Sequence, residues 1–169
     1  CTQISLPVLY LSLEMHQRLT YRRFIQIAHG MSKEQVDTYY QSEGNSLSSK
    51  IKHIQVLQTA PSLESIAKVI TESEAKVIVV DVIDAIEVKG MDSEQKLGPI
   101  GAELKNIAQQ LDVIIIGIHH ISKTASRESG LDIHSGKGSS TIEQKADKII
   151  AIEGNRTKPY RRIHSLGAR

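Results

Sequence analysis

Residues 77–81 read Val-Ile-Val-Val-Asp, four β-branched apolar residues in unbroken succession closed by a carboxylate. A strand with one face in water alternates apolar and polar positions. A run without alternation is suited to burial on both faces, as in parallel sheets. Working outward, Val113 to Ile118 (VIIIGI) has the same character, and Val8 to Ser12 (VLYLS), Ile54 to Leu57 and Lys148 to Glu153 (KIIAIE) are shorter versions, with Arg161 to Leu166 as a last candidate strand.

Helical patterns separate these runs. One is expected from about His16 to His29, ended by Gly30, and a second is capped by Ser32 and continues through Tyr40. Pro61 and Ser62 open a third, whose Leu63, Ile66, Ala67 and Ile70 fall at i, i+3, i+4 and i+7. The fourth is strongly amphipathic, with Leu97, Ile100, Leu104, Ile107, Ala108 and Leu111 on one side. Buried strands alternating with helices predict an α/β fold: a largely parallel sheet with helices on both faces.

Composition narrows the class. The chain has 169 residues, 40% hydrophobic and 24% charged, which suits one globular domain over residues 1–169. No apolar run approaches the roughly 20 residues of a membrane span, and no secretory leader is evident. The single Cys1 cannot form an internal disulfide, so a cytoplasmic, reducing setting is expected. Charge is uneven: residues 1–118 hold 11 Lys+Arg against 14 Asp+Glu, whereas residues 119–169 hold 10 against 5. A basic terminal third fits a polyanionic partner, and equally a solvated surface.

Ligands of parallel α/β proteins bind beyond the carboxyl ends of the strands. Three strand ends carry suggestive groups: Glu14, Asp81 and the pair His119-His120. An apolar strand ending in Asp is the Walker B pattern, whose carboxylate holds Mg²⁺ beside nucleotide phosphates, although many such strands end in Asp because a loop begins there. Glu14 reads either as a catalytic carboxylate or as a first-turn helix residue favoured by the macrodipole. The two histidines are a weak metal pair, since neighbours on a strand end point to opposite sides and no further Cys or His completes a set. Ser135 to Ser140 (SGKGSS) fails as a phosphate-binding GxxxxGK[ST] loop: Leu131 stands where the first Gly belongs, Gly138 follows Lys137, and no apolar strand precedes it. It reads as part of a long Ser/Gly/Lys-rich loop from Ser122 to Ser140, functional or mobile.

Taken in order, these pieces resemble the RecA-like ATPases, most closely the DnaB-type replicative helicases with a leaning toward plasmid RepA helicases. VLYLSLEM resembles the strand bearing the water-activating glutamate, VIVVD with VIDAI resembles Walker B, and IGIHHISK occupies the sensor strand, HHISK being the RepA-like feature. GSSTIEQKADKIIAIEGN is similar to a downstream DnaB stretch. The resemblance implies ATP and Mg²⁺ as cofactors, Glu14 as general base, Asp81 as the Mg²⁺-linked acid and His120 as γ-phosphate sensor, a site where DnaB proteins usually have Gln. It implies that Lys123, Arg127 and Lys137 face single-stranded DNA, and that Arg169 is an arginine finger, with Gly167 where the family has Lys. It further implies a homo-oligomeric ring, by family a hexamer, and contact with primase or a loader through regions not in this chain. The phosphate-binding strand and helix would stand just before Cys1, so the chain is expected to be a RecA-like core incomplete at its N-terminal side. Two other functions fit the same residues: a KaiC-like or RadA-like ATPase in signalling or recombination, and a non-catalytic nucleic-acid-binding oligomerisation module.

Overall fold

The structure, a computed structural model, describes residues 5–43, 46–92, 95–120, 142, 144–154 and 160–168. Among the described residues six strands and four helices follow one another: β1 (Val8–Ser12), α1 (Gln17–His29), α2 (Lys33–Glu43), β2 (Ile54–Leu57), α3 (Leu63–Thr71), β3 (Val77–Asp81), α4 (Leu97–Leu111), β4 (Ile114–Ile118), β5 (Lys148–Glu153) and β6 (Arg162–Ala168). Short 3-10 turns occupy Ser46–Ile51 and Ile83–Ala85.

Helix ends follow the sequence signals. Gly30 takes the left-handed conformation at φ 63°, and its N–H returns to the Gln26 carbonyl. Ser32 and Gln35 form a reciprocal capping box before α2: the Ser32 N–H donates to Gln35 Oε1 at 2.7 Å, and the Gln35 N–H to Ser32 Oγ at 3.2 Å. Ser62 caps α3 by accepting from the Ser65 N–H. Pro99 lies within the first turn of α4, where its missing N–H breaks no helical bond.

Four strands form a parallel sheet in the order β2-β1-β3-β4. Helices cover both faces, as the unbroken apolar runs require. On one, Leu9, Leu11, Ile78 and Val80 pack with Ile66 and Ile70 of α3 and with Ile100, Leu104 and Ile107 of α4. On the other, Val8, Val77, Val79 and Ile54 pack with Ile25 of α1 and Val36 of α2. Among the described residues no helix is long and apolar enough to cross a membrane.

Two details differ from the sequence reading. β5 and β6 form a separate antiparallel pair, with Glu153 opposite Arg162, rather than joining the parallel sheet. The few residues between them permit a hairpin but not a crossover. β4 is also not covered on both faces: Ile115 packs on the α3/α4 core, while Ile114 and Ile116 on the other face are 59% and 45% exposed. α1 and α2 pack over β1, β2 and β3, and on that face of β4, the last strand of the sheet, Ile118 packs against the same cluster while Ile114 and Ile116 do not.

This asymmetry sets an expectation for stability. Ile78→Ala should cost about 2–5 kcal/mol, as for a fully buried isoleucine, whereas Ile114→Ala should cost less than about 1 kcal/mol. Urea denaturation of the two variants compares them directly.

Candidate functional site at the strand ends

In-register pairing fixes where the functional side chains fall. Ser12 pairs with Asp81, and Asp81 with Ile118, so β1, β3 and β4 end in one row. Residues just beyond that row, Glu14, Val82 and His119-His120, therefore share one rim of the sheet.

Glu14 sits in a tight bend. The buried Ser12 hydroxyl donates to the Met15 carbonyl at 2.7 Å and lies 3.2 Å from the Thr20 hydroxyl, while the Leu13 N–H donates to the Asp81 carbonyl at 2.7 Å. The bend is thus anchored on both sides, and Glu14 is exposed in its middle. α1 begins at Gln17 with His16 as cap and has no acid in its first turn. The helix-dipole reading of Glu14 is thereby corrected: the residue stands ahead of the cap, where the unsatisfied N–H groups do not reach it.

Asp81 closes β3 and is partly buried. Its Oδ2 accepts a hydrogen bond from the Tyr10 hydroxyl at 2.5 Å. Tyr10 lies two residues back on the adjacent strand, on the same face, and its ring meets Phe24 edge-on at 5.0 Å between centroids. Burial first, then the bond to Asp81 and its charge, push the Tyr10 phenol well above the usual tyrosine range. A partly buried carboxylate held from one side keeps free lone pairs for a cation. Mg²⁺ is ordinarily bound by one or two carboxylates together with substrate phosphates, so Asp81 fits that role. No cluster of three or more His, Cys, Asp or Glu side chains forms among the described residues.

At the end of β4 the two histidines behave differently. His119 Nδ1 approaches Asp84 Oδ1 at 2.7 Å, as an ion-pair contact and not an aligned hydrogen bond. The His120 backbone N–H donates to Asp84 Oδ2 at 3.0 Å, and the His120 side chain is exposed. Burial acts to raise the Asp84 carboxyl, but the His119 ring, the His120 N–H and the charge of both imidazoles outweigh it and hold the group below the usual aspartate value. The Asp84 carbonyl accepts from Lys96 Nζ at 2.6 Å. Gly117 on β4 leaves room for the Ile83 side chain of the turn bearing Asp84: a Cβ there would lie 3.0 Å from Ile83 Cγ2.

Of the residues expected from sequence, Glu14, Asp81 and His120 come to the same rim. Arg169, Lys123, Arg127 and Lys137, with the whole stretch from Ser122 to Ser140, lie outside the described residues. Sequence reasoning missed Tyr10 and Asp84. The short spacing of Asp84 after Asp81 was visible, but its partner His120 lies 36 positions away in the chain. A cleft of about 1040 Å³ opens among α1, α2 and β2 and is lined by residues such as Arg18, Tyr21 and Tyr40. It contains none of the rim residues.

The AAA domain family matches residues 1–126 of this chain. No curated protein matches it by sequence. Among solved structures, one ATPase domain superposes with a TM-score of 0.78 at 18% identity over 96% of this chain. A DnaB-like replicative helicase, described together with its interactions with primase, superposes with a TM-score of 0.77, also at 18% identity over 96%. The fold is therefore that of DnaB-type, RecA-like ATPase domains. The chain spans 66% of the first structure and 45% of the second.

The Tyr10–Asp81 contact has a measurable signature. A phenol whose ionisation is raised by folding contributes stability that is complete below the ordinary tyrosine value, near pH 10, and is lost as pH rises from there toward the folded value. The stability of the wild type should fall more steeply over that alkaline window than that of Tyr10→Phe, as measured by denaturant midpoints at stepped pH.

Proposed function

We propose, from the premise that the chain belongs to the AAA domain family and has the fold of DnaB-type ATPase cores, that it is the motor core of an ATP-driven DNA helicase. The observation that carries this reading is the rim itself: three neighbouring parallel strands, paired in register, end together and bring Glu14, Asp81 and His120 to one edge of the sheet. Phosphoryl transfer asks little covalent chemistry of a protein and depends on positioning and charge stabilisation, for which such a rim is suited.

The roles follow from each group's surroundings. Glu14, exposed in its anchored bend, orients the attacking water and accepts its proton. Asp81, held by Tyr10, would bind Mg²⁺, which when present neutralises charge on the transferring phosphate. His120 offers a hydrogen-bond donor to the γ-phosphate in either protonation state, with added charge when protonated. Arg169 completes the set as a finger reaching the nucleotide of a neighbouring subunit, which makes hydrolysis depend on ring assembly. Lys123, Arg127 and Lys137 engage the phosphates of single-stranded DNA. Contact with primase, as in the DnaB-like structure, belongs to the longer protein.

Residues 1–169 are read as one incomplete core. The support is the edge of the sheet: among the described residues nothing pairs with the outer side of β4, and Ile114 and Ile116 lie bare beside it. A preceding phosphate-binding strand and its helix would cover both.

In the longer protein, Glu14→Gln should keep nucleotide affinity and lose steady-state hydrolysis, because an amide cannot take the water proton. Turnover within a factor of about two of wild type would overturn the general-base role. Arg169→Ala should lower turnover by about 10³-fold while assembly persists. Mixed rings of the two variants should regain activity at interfaces holding an intact Glu14 and an intact Arg169, and a finger acting within its own subunit would give no rescue.

Replacing Lys123, Arg127 and Lys137 with Ala should weaken single-strand binding. Each lost phosphate contact should flatten the log–log salt dependence by roughly 0.7. Fluorescence anisotropy with an oligonucleotide across a salt series reads that slope.

A further inference from the structure

The most heavily connected group on the rim is none of the three carried over from the resemblance. Asp84 touches both histidines at the end of β4 through different oxygens: Oδ1 meets the His119 ring at 2.7 Å, and Oδ2 accepts the His120 backbone N–H at 3.0 Å. Its own backbone is tied on the other side, where Lys96, at the start of α4, donates to its carbonyl. The Asp84 side chain is about one-third exposed, so these contacts lie at the edge of solvent and not in the core.

We infer that Asp84 is a positioning residue, which holds the His119-His120 turn so that the His120 ring is presented to the nucleotide phosphate. The inference rests on the ATPase reading above. The β4 ladder ends at Ile118, so among the described residues His119 and His120 have no strand partner to fix their backbone. The two oxygens of Asp84 replace that partner. One fixes the amide plane of His120 and with it the exit direction of the His120 side chain. The other binds the preceding ring, which prevents the turn from rotating about the first contact. A charged acceptor suits the amide bond, since hydrogen bonds to carboxylates are shorter and stronger than neutral ones. The anchor is also well placed: Asp84 follows Asp81 by three residues, so the group sensing phosphate and the group proposed for Mg²⁺ are joined through one short turn, Ile83–Ala85. Gly117 faces Ile83 of that turn, and a Cβ added there would press on the Ile83 side chain at 3.0 Å from Cγ2.

The test has two arms. In the 169-residue chain, ¹⁵N–¹H spectra and hydrogen exchange report the His120 amide and the His119 ring without any need for hydrolysis. Asp84→Ala should remove protection at the His120 amide and change the His119 ring tautomer balance, leaving the Val77–Val80 amides unchanged. Asp84→Asn should retain much of the amide protection, because its side-chain oxygen still accepts. In the longer, nucleotide-hydrolysing protein, Asp84→Ala should lower kcat by roughly 10- to 100-fold while KM for ATP moves by less than about threefold, as expected when a sensing group is misplaced rather than lost. Asp84→Asn should recover part of that loss.

Unchanged His120 protection in Asp84→Ala overturns the inference, as does a kcat equal to wild type. If Glu14→Gln leaves turnover intact while Asp84→Ala still releases the His120 amide, the ATPase assignment fails and the anchoring of the turn stands. Loss of protection across Val77–Val80 in both Asp84 variants would show a general structural role and overturn the positioning role.

Discussion

Everything chemical in this molecule depends on β3 being buried on both faces and paired on both edges. Val77, Ile78, Val79 and Val80 are all buried, with β1 on one side and β4 on the other, both parallel and in register. A shift of one residue in either ladder would exchange the side chains fitted to the two close-packed faces, so the register is set by the core and not by the site. Asp81 is the first residue that this core does not need. Its position is thereby inherited from packing, and so are those of Glu14 and His120, which leave their strands at the same level.

The sequence made the framework legible because the framework is local. Unbroken β-branched runs, the 3.6-residue period of Leu97 to Leu111, and caps at Gly30, Ser32 and Ser62 each declare themselves within a few positions. The site was only half legible. Asp81 and His120 stand at strand ends that the pattern marks, but Tyr10 reads as one more apolar strand residue until the ladder sets it beside Asp81. Asp84 looks like a loop carboxylate until the fold brings β4 to it. The helix-dipole alternative for Glu14 failed for a similar reason: sequence does not show that a Ser12-anchored bend delays the start of α1 to Gln17.

The rim combines two kinds of constraint that act on different groups. Asp81 and Asp84 are held by hydrogen-bond donors, Tyr10 for one and the His120 amide for the other, and are therefore pre-oriented before any ligand arrives. Glu14 and the His120 side chain are exposed. This division suits phosphoryl transfer, in which the metal-linked acid and the scaffold must not move while the groups meeting water and the terminal phosphate must reach a ligand from solvent.

The bare surfaces bear on the proposal that the core is incomplete. Single exposed isoleucines need no explanation, but Ile114 and Ile116 lie on one face of a strand whose outer edge is also unpaired among the described residues. The run from Val113 to Ile118 carries no charge and no proline, the usual devices that blunt an open edge. The β5–β6 pair repeats the pattern, with Ile150, Ile152 and Ile163 exposed and Ile152 opposite Ile163. A side-chain contact from a neighbouring subunit would cover the isoleucines yet leave the β4 backbone N–H and C=O groups without partners. A strand added along β4, followed by a helix over Ile114 and Ile116, meets both demands at once. On the proposed reading, that is the arrangement through which a phosphate-binding loop would reach the rim beside Asp81 and His120, so one element would answer both the packing of the described residues and the proposed chemistry.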